Sequence, residues 1–152
     1  MVKVPVIIIR HPRERRSKCT LEPLQGRPDL VFHNAKPGFT FDAGGHILLT
    51  LEGPPLSSAD FGNPLLLLDS TWRRLPQLEA CLRGEPIRRS LPAGIKSAYP
   101  RVSKTFIDPP GGLASVEALY VAKRILEGQE DATLLDHYHW REDFLKTLPP
   151  DF

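Results

Sequence analysis

The sequence predicts an α/β domain in which helices cover a sheet. Short strands rich in Val, Ile and Leu alternate with loops and short helical segments along the first two thirds of the chain. Two longer amphipathic helices follow them toward the carboxyl end. The strand at residues 64–69 is apolar almost throughout, which is typical of a strand buried on both faces. This order of elements favours a layered α/β fold.

The individual elements follow from apolar patterning and from the turn residues that bound it. Strands are predicted at residues 3–10, 29–33, 46–51, 64–69 and 87–91. Helices are predicted at residues 71–82, 113–127 and 131–148, with a further short helix that ends at Leu24 and is capped by Ser17 or Thr20. Residues 34–45 are expected to form a loop or hairpin, and residues 92–112 a long irregular segment of the kind that often carries function. We expect residues 1–91 and 92–152 to be two parts of one compact unit.

The composition indicates a globular protein. Hydrophobic residues make up 41% of the 152 residues and charged residues 25%, which is enough for a real core. No apolar run approaches the roughly 20 residues that span a bilayer, and residues 1–5 lack the layout of a signal peptide. Cys19 and Cys81 form no CxxC pair, so neither a structural disulfide nor a cysteine-rich metal site is expected. We therefore expect a cytoplasmic protein with no metal and no membrane partner.

Charge is distributed unevenly, although the net charge is only +2. Residues 10–18 contain five basic side chains and one acidic one, and residues 70–104 contain eight basic and two acidic side chains. Residues 105–152 reverse the balance, with nine acidic and four basic side chains. A basic zone of this density can be the electrostatic footprint of a nucleic-acid-binding protein. It can equally be an ordinary solvated surface, and charge alone leaves both interpretations open.

The clearest local signal is the segment 65–72, in which a buried strand ends in an acid, two hydroxyl residues and Trp72. In open α/β sheets, ligands bind beyond the carboxyl ends of the strands. Trp72 could wall a pocket for a planar ring, and the backbone carbonyls of Leu68 and Asp69 could accept hydrogen bonds from ribose hydroxyls. The alternative is structural: Asp69 or Ser70 caps the following helix and Trp72 belongs to the core.

A second signal is the pair Gly111 and Gly112, which opens a helix of small and apolar residues. Glycine lets a backbone approach a ligand closely, and Ala114 and Ala118 leave room for one. The segment is not a phosphate-binding loop, because no Gly-Lys-Ser/Thr follows it.

Five short motifs occur in order along the chain, at residues 17–20 (SKCT), 49–60 (LTLEGPPLSSAD), 69–72 (DSTW), 89–92 (RSLP) and 113–118 (LASVEA). Together they resemble the motifs of the small-subunit ribosomal RNA aminocarboxypropyltransferases and, more distantly, those of the DTW-domain proteins. That family carries Lys-Cys-Thr/Ser, Leu-Ser-Pro-x-Gly with Leu-Ser-Pro-Ala-Asp, Asp-Cys-Ser-Trp, Arg-x-Leu-Pro and Leu-Ser-x-x-Glu-Ala. The shared order and spacing make the resemblance more specific than any single motif.

The resemblance implies a SPOUT-like α/β fold that is knotted around a cofactor site, with a small N-terminal lobe and two C-terminal helices. It implies S-adenosylmethionine as the cofactor. The adenine would be held by Leu49, Leu51, Trp72, Leu91, Leu113 and Ala118, with the backbone near Gly111 along its edge. The ribose would bond to the Leu68 carbonyl, and Thr20 would hold the carboxylate of the methionine part through its backbone N–H and hydroxyl. A plain helix cap is a compatible role for Thr20.

The resemblance implies a transferase that moves the 3-amino-3-carboxypropyl group of S-adenosylmethionine to a uridine or pseudouridine nitrogen in ribosomal RNA. Such a displacement depends on positioning more than on acid–base catalysis. Asp69 is a candidate for orienting the base or assisting proton loss. Arg88, Arg89 and Arg101 flank the expected cleft and are candidates for contacts with RNA. The alternatives are an RNA methyltransferase with the same pocket and an RNA-binding module without catalysis.

Overall fold

The computed structural model of the chain describes residues 4–13, 20–99, 112–149 and 152. Within these ranges the chain forms a five-stranded parallel sheet, a two-stranded parallel sheet and three α-helices. The larger sheet contains β1 (Val6–Arg10), β2 (Leu30–Asn34), β4 (Ile47–Leu49), β5 (Leu65–Asp69) and β7 (Ile87–Arg89). The smaller sheet pairs β3 (Phe41–Asp42) with β6 (Leu82–Arg83). The α-helices are α1 (Leu75–Glu79), α2 (Ser115–Glu127) and α3 (Arg141–Thr147), and none of these is long and apolar enough to cross a membrane.

The strands of the larger sheet lie in the order β2-β1-β5-β4-β7, and every pair is parallel. β1 and β5 pair along their whole length, from Val6 opposite Leu65 to Arg10 opposite Asp69. Because the strands are parallel, their carboxyl ends lie along one edge of the sheet. β1, β2 and β5 end there in the polar residues Arg10, Asn34 and Asp69. This is the edge at which open α/β sheets bind ligands.

The larger sheet has a hydrophobic cluster on each face. Successive strand residues point to opposite faces, so Leu65 and Leu67 join one cluster while Leu66 joins the other. The first cluster is the larger and includes α2 and α3. The second includes Leu78 of α1. Burial on both faces explains why β5 is apolar almost throughout.

Helix α2 buries its apolar side in the first cluster and is followed by its C-cap Gly128, whose φ of +78° is a left-handed conformation. Lys123 is fully buried on this helix, with Nζ 2.8 Å from Oδ2 of Asp29 and 2.9 Å from Oε2 of Glu127. A buried charge is costly unless it is paired. The ion pairs of Lys123 therefore attach the carboxyl half of α2 to Asp29, the residue before β2.

All five predicted strands are confirmed: β1, β4, β5 and β7 are shorter than predicted, and β2 is shifted by one residue toward the carboxyl end. Residues 34–45, predicted to be a loop or hairpin, contain β3, which pairs with β6 instead of folding back on a neighbouring strand. The short helix predicted to end at Leu24 is a 3-10 helix at Glu22–Leu24. The pairing of β3 with β6 joins segments that are far apart in sequence, and no local pattern indicates it.

The prediction of a helix at residues 71–82 is wrong in extent. Residues 71–74 are outside regular helix, and α1 follows them with Pro76 in its first turn. Proline is tolerated there because the first helical N–H groups have no partner within the helix. At the other end Leu82 pairs with Phe41 of β3, which withdraws it from the helix.

The prediction of one helix at residues 131–148 is also wrong. The chain forms a 3-10 helix at Ala132–Leu135, leaves helical structure, and then forms α3. The interruption contains Tyr138, whose hydroxyl donates a hydrogen bond of 2.9 Å to the buried carboxylate of Glu117. A tertiary contact therefore outweighs the helical pattern of this segment.

Candidate functional site

A cleft of about 1110 Å³ opens at the carboxyl ends of β4, β5 and β7 and extends to the start of α2. Its size suits an organic ligand of ordinary cofactor dimensions, and its walls are mainly apolar with a few polar groups. Among the described residues, no group of three or more His, Cys, Asp or Glu side chains is placed to hold a metal ion. The cleft brings together the nine described residues that were predicted to hold the cofactor or to orient the base: Thr20, Leu49, Leu51, Leu68, Asp69, Trp72, Leu91, Leu113 and Ala118. Gly111 lies outside the described residues.

The aromatic wall of the cleft is Trp72, which follows β5 in a turn and is half-buried. Its indole lies against Gly112, where an added Cβ would be 2.9 Å from Cζ2. Leu51 also lines the cleft and is 44% exposed, so its side chain is accessible to a ligand. An aromatic ring and accessible leucine side chains form a surface that can enclose a planar heterocycle.

Thr20 lies at the amino end of α2, although it is 96 residues away in sequence from its partner there. The backbone N–H of Val116 donates a hydrogen bond of 3.1 Å to Thr20 Oγ1. Thr20 therefore caps α2 across the fold. The prediction that it caps its own helix is wrong, because that 3-10 helix has Leu21 as its N-cap and no side-chain cap. Ser17, the other predicted cap, lies outside the described residues.

Asp69 is held at the base of the cleft by a buried polar network. Its Oδ1 accepts a hydrogen bond of 2.7 Å from the Ser115 hydroxyl, and its Oδ2 lies 3.4 Å from Nε of Arg10. Arg10 also donates to Glu22 at 2.7 Å, so its guanidinium is shared between two carboxylates. Asp69 and Arg10 are only 6% and 3% exposed. The Asp69 carboxylate thus joins the end of β5 to the first residue of α2.

The structural alternative for the segment after β5 was that Asp69 or Ser70 caps the following helix and that Trp72 belongs to the core. The predicted cap is wrong. Helix α1 has Arg74 as its N-cap and no side-chain cap, so neither Asp69 nor Ser70 caps it. The Ser70 hydroxyl instead donates to the carbonyl of Thr71 at 3.0 Å. Trp72 lines the cleft and is not part of the buried core.

Two of the arginines predicted to contact RNA, Arg88 and Arg89, are neighbours on β7. Successive side chains of a strand point to opposite faces of the sheet, so the two are separated. Arg88 lines the cleft, has a side chain that is 52% exposed, and lies 3.6 Å from Oε1 of Glu79. Arg89 points the other way, and its Nε lies 3.3 Å from both carboxylate oxygens of Asp60. Arg101 lies outside the described residues. Of the two arginines that the structure describes, Arg88 is therefore the one at the cleft.

Glu117, which belongs to the motif at residues 113–118 but was not predicted to have a role of its own, is fully buried beside the cleft. It is the third residue of α2, and its Oε1 accepts a hydrogen bond from the N–H of Ala114. A Glu at this helix position is a local sign of a capping interaction. Its other partners, in residues 97–98 and at Tyr138, are contacts that only the tertiary fold creates.

No protein-family profile and no curated protein sequence matches the chain. A solved structure does match: that of the SAM-dependent rRNA:acp-transferase Tsr3 from Vulcanisaeta distributa. The two chains superpose with a TM-score of 0.67 at 25% sequence identity, over 94% of this chain and 78% of that one. The predicted resemblance to the ribosomal RNA aminocarboxypropyltransferases is thereby confirmed. The five-stranded parallel sheet with its three helices is consistent with a Tsr3-like fold.

Proposed function

We propose that the chain is an S-adenosylmethionine-dependent transferase that places an aminocarboxypropyl group on ribosomal RNA. The observation that carries this proposal is the cleft at the carboxyl edge of the sheet. It gathers every described residue that the motifs predicted for the cofactor. It does so in a fold shared with a protein that is named as a SAM-dependent rRNA:acp-transferase.

The residues of the cleft fit the parts of S-adenosylmethionine. Trp72 and the leucines supply apolar walls for the adenine, and the Leu68 carbonyl supplies an acceptor for a ribose hydroxyl. Thr20 lies beside the first turn of α2, where the helix dipole and backbone N–H groups favour a carboxylate. When bound, the cofactor supplies a sulfonium whose neighbouring carbon is open to displacement by a nucleophile.

The chain's own contribution is to position the reactants. Asp69 is buried and held by Ser115 and Arg10, which suits a group that keeps one orientation. Reacting atoms held at about 3–3.5 Å in the correct direction can account for much of the rate of such a displacement. We propose that Asp69 orients the acceptor base at the floor of the cleft.

The finer parts of the proposal rest on the motif resemblance. They are a uridine or pseudouridine nitrogen of small-subunit ribosomal RNA as the acceptor, a role in ribosome biogenesis, and a SPOUT-like chain knotted around the cleft. Both the segment before residue 100 and the segment after residue 111 line the cleft, which is compatible with such a crossing. A cytoplasmic location stays a prediction that rests on the low cysteine content.

The RNA is proposed to approach over the rim that carries Arg88. This arginine is exposed at the cleft, and residues 70–104 carry a net charge of +6, from eight basic and two acidic side chains. Basic side chains bind phosphates and release counterions, so they provide affinity without sequence selectivity.

Transfer with labelled cofactor tests the proposal. S-adenosylmethionine labelled in its carboxyl carbon should label small-subunit RNA and leave methylthioadenosine, whereas methyl-labelled cofactor should leave the RNA unlabelled. Methyl label in the RNA together with S-adenosylhomocysteine would establish a methyltransferase instead. Cofactor binding without transfer of either label to any ribosomal RNA would favour an RNA-binding module.

A further inference from the structure

Glu117 is buried behind the cleft and bonds to two segments of the chain that line it. It is fully buried, it is not among the residues that line the cleft, and its carboxylate accepts four hydrogen bonds. Oε1 accepts from the Ala114 N–H at 2.8 Å and from the Ser97 hydroxyl at 2.6 Å. Oε2 accepts from the Ala98 N–H at 2.8 Å and from the Tyr138 hydroxyl at 2.9 Å.

Two of these partner segments, residues 97–98 and the start of α2, belong to parts of the chain that line the cleft. Ala114 lines the cleft at the start of α2, and Tyr99, next to Ala98, lines it from the segment after β7. The Ser97 hydroxyl also accepts the N–H of Tyr99 at 3.1 Å, so the contact with Glu117 extends to the lining residue itself. A single carboxylate therefore connects the two lining segments.

The arrangement requires a carboxylate rather than any polar side chain of the same shape. Each oxygen of Glu117 faces one backbone N–H at 2.8 Å, and a backbone N–H can only donate. A glutamine at this position would turn its NH₂ group toward one of these N–H groups in either orientation. One buried donor would then lack an acceptor, which is costly in the protein interior.

We propose that Glu117 is a positioning residue that holds two lining segments of the cofactor cleft, residues 97–99 and the start of α2, in the arrangement that binds the cofactor. The inference rests on the proposed function for the identity of the ligand, but the linkage itself is a property of the fold. Glu117 acts through Ala114 and Tyr99 and does not reach the reacting atoms. Its loss should therefore weaken cofactor binding without slowing the reaction of the bound complex.

The test compares Glu117→Gln with Glu127→Gln. Glu127 is also a buried acid of α2, paired with Lys123 and with the N–H of Val4 at the far end of the helix from the cleft. Both variants lose a buried carboxylate, but only Glu117→Gln should raise the Kd and KM for S-adenosylmethionine, by about tenfold or more, with kcat at saturating cofactor within about twofold. Equal cofactor affinity in wild type and Glu117→Gln would overturn the inference.

Amide hydrogen exchange provides a readout that needs no ligand. In Glu117→Gln, exchange should accelerate at residues 97–99 and 113–118, whereas in Glu127→Gln these residues should exchange as in the wild type. A wild type that binds no S-adenosylmethionine would refute the proposed function, and the exchange pattern would still decide the role of Glu117.

Should Glu117→Gln fail to fold, Tyr138→Phe is the second variant, because it removes one hydrogen-bond donor to Glu117 without adding an unmatched donor. Tyr138→Phe should then raise the Kd for S-adenosylmethionine and the amide exchange rates of the same residues, each by less than Glu117→Gln would. If neither the Kd nor the exchange rates change, the linkage is refuted.

Discussion

Gly112 lies directly against the indole of Trp72 at the side of the cleft. A Cβ at residue 112 would lie 2.9 Å from Cζ2 and 3.0 Å from both Cε2 and Nε1 of the ring. The φ of Gly112 is not in the left-handed region that favours glycine. The close approach of the ring, and not the backbone conformation, is therefore what excludes a side chain at this position.

We expect Gly112→Ala to displace the indole of Trp72 and to weaken S-adenosylmethionine binding by about 1–2 kcal/mol, the scale of overpacking in a well-packed site. Isothermal titration calorimetry measures the change. Gly44→Ala is the matched control, because its φ is also outside the left-handed region and its Cβ would meet only the side chain of Asp42, at 3.2 Å. Equal affinity in the wild type and Gly112→Ala would show that the ring position does not matter for binding.

Trp72→Ala should weaken cofactor binding by about 1–3 kcal/mol, because it removes the aromatic wall of the cleft. The chain contains only two tryptophans, so Trp140→Phe leaves Trp72 as the single fluorophore. In that background, S-adenosylmethionine should change the tryptophan emission in proportion to occupancy. Emission that does not respond while calorimetry records binding would place the ligand away from Trp72.

Asp69→Asn separates orientation from proton transfer. The substitution removes the charge that Arg10 faces, so we expect a loss of about 1–3 kcal/mol in the free energy of unfolding. We expect kcat to fall less than about tenfold, because the side chain positions the acceptor rather than taking its proton. Ser115→Ala is the companion variant, since it removes the 2.7 Å hydrogen bond but leaves the carboxylate. A hundredfold lower kcat with an altered pH profile in Asp69→Asn alone would make Asp69 a general base.

Arg88 and Arg89 should contribute unequally to RNA binding. Arg88→Ala removes an exposed cation at the cleft and should lower the slope of log affinity against log salt by about 1. Arg89→Ala should have the smaller effect, because the Arg89 side chain is 26% exposed against 52% for Arg88, and its ion pair with Asp60 is shorter and more buried than that of Arg88 with Glu79. The triple alanine variant of Arg88, Arg89 and Arg101 should bind RNA most weakly. Filter binding over a range of salt concentrations tests this, and a flat salt dependence in the wild type would remove the electrostatic interpretation.

Asp29 should make stability depend on acid pH. Burial raises its pKa, but hydrogen bonds and charge from Arg27 and Lys123 outweigh burial and hold the pKa at about 2, below its ordinary 3.8. A pKa that is lower in the folded state stabilises the fold above pH 3.8, and this contribution is lost as the pH falls toward 2. We expect about 1–2 kcal/mol after solvent screening. In urea denaturation, Asp29→Asn should therefore be less stable than the wild type at pH 7 and closer to it at pH 2.5; an equal deficit at both would contradict the assignment.

Local patterns predicted the strands well, because burial on both faces leaves a continuous apolar run such as that of β5. They failed where a distant contact decides the local structure. Tyr138 lies in a predicted helix but is non-helical and donates a hydrogen bond to Glu117. Leu82 also lies in a predicted helix but forms a strand that pairs with Phe41. Propensity over a short window contains no information about such partners.

The sequence by itself determined the class of fold, through the order of its apolar segments, and the carboxyl edge of β5 as the place of a cleft. Its short motifs also marked side chains that line this cleft. Only the tertiary structure decided how these motifs act together. It placed Thr20 at the start of α2, tied Asp69 to Ser115, and set Arg88 and Arg89 on opposite sides of one strand. The physical reason is that hydrogen bonds and ion pairs act over about 3 Å, so their energy depends on distances between segments that sequence order does not fix.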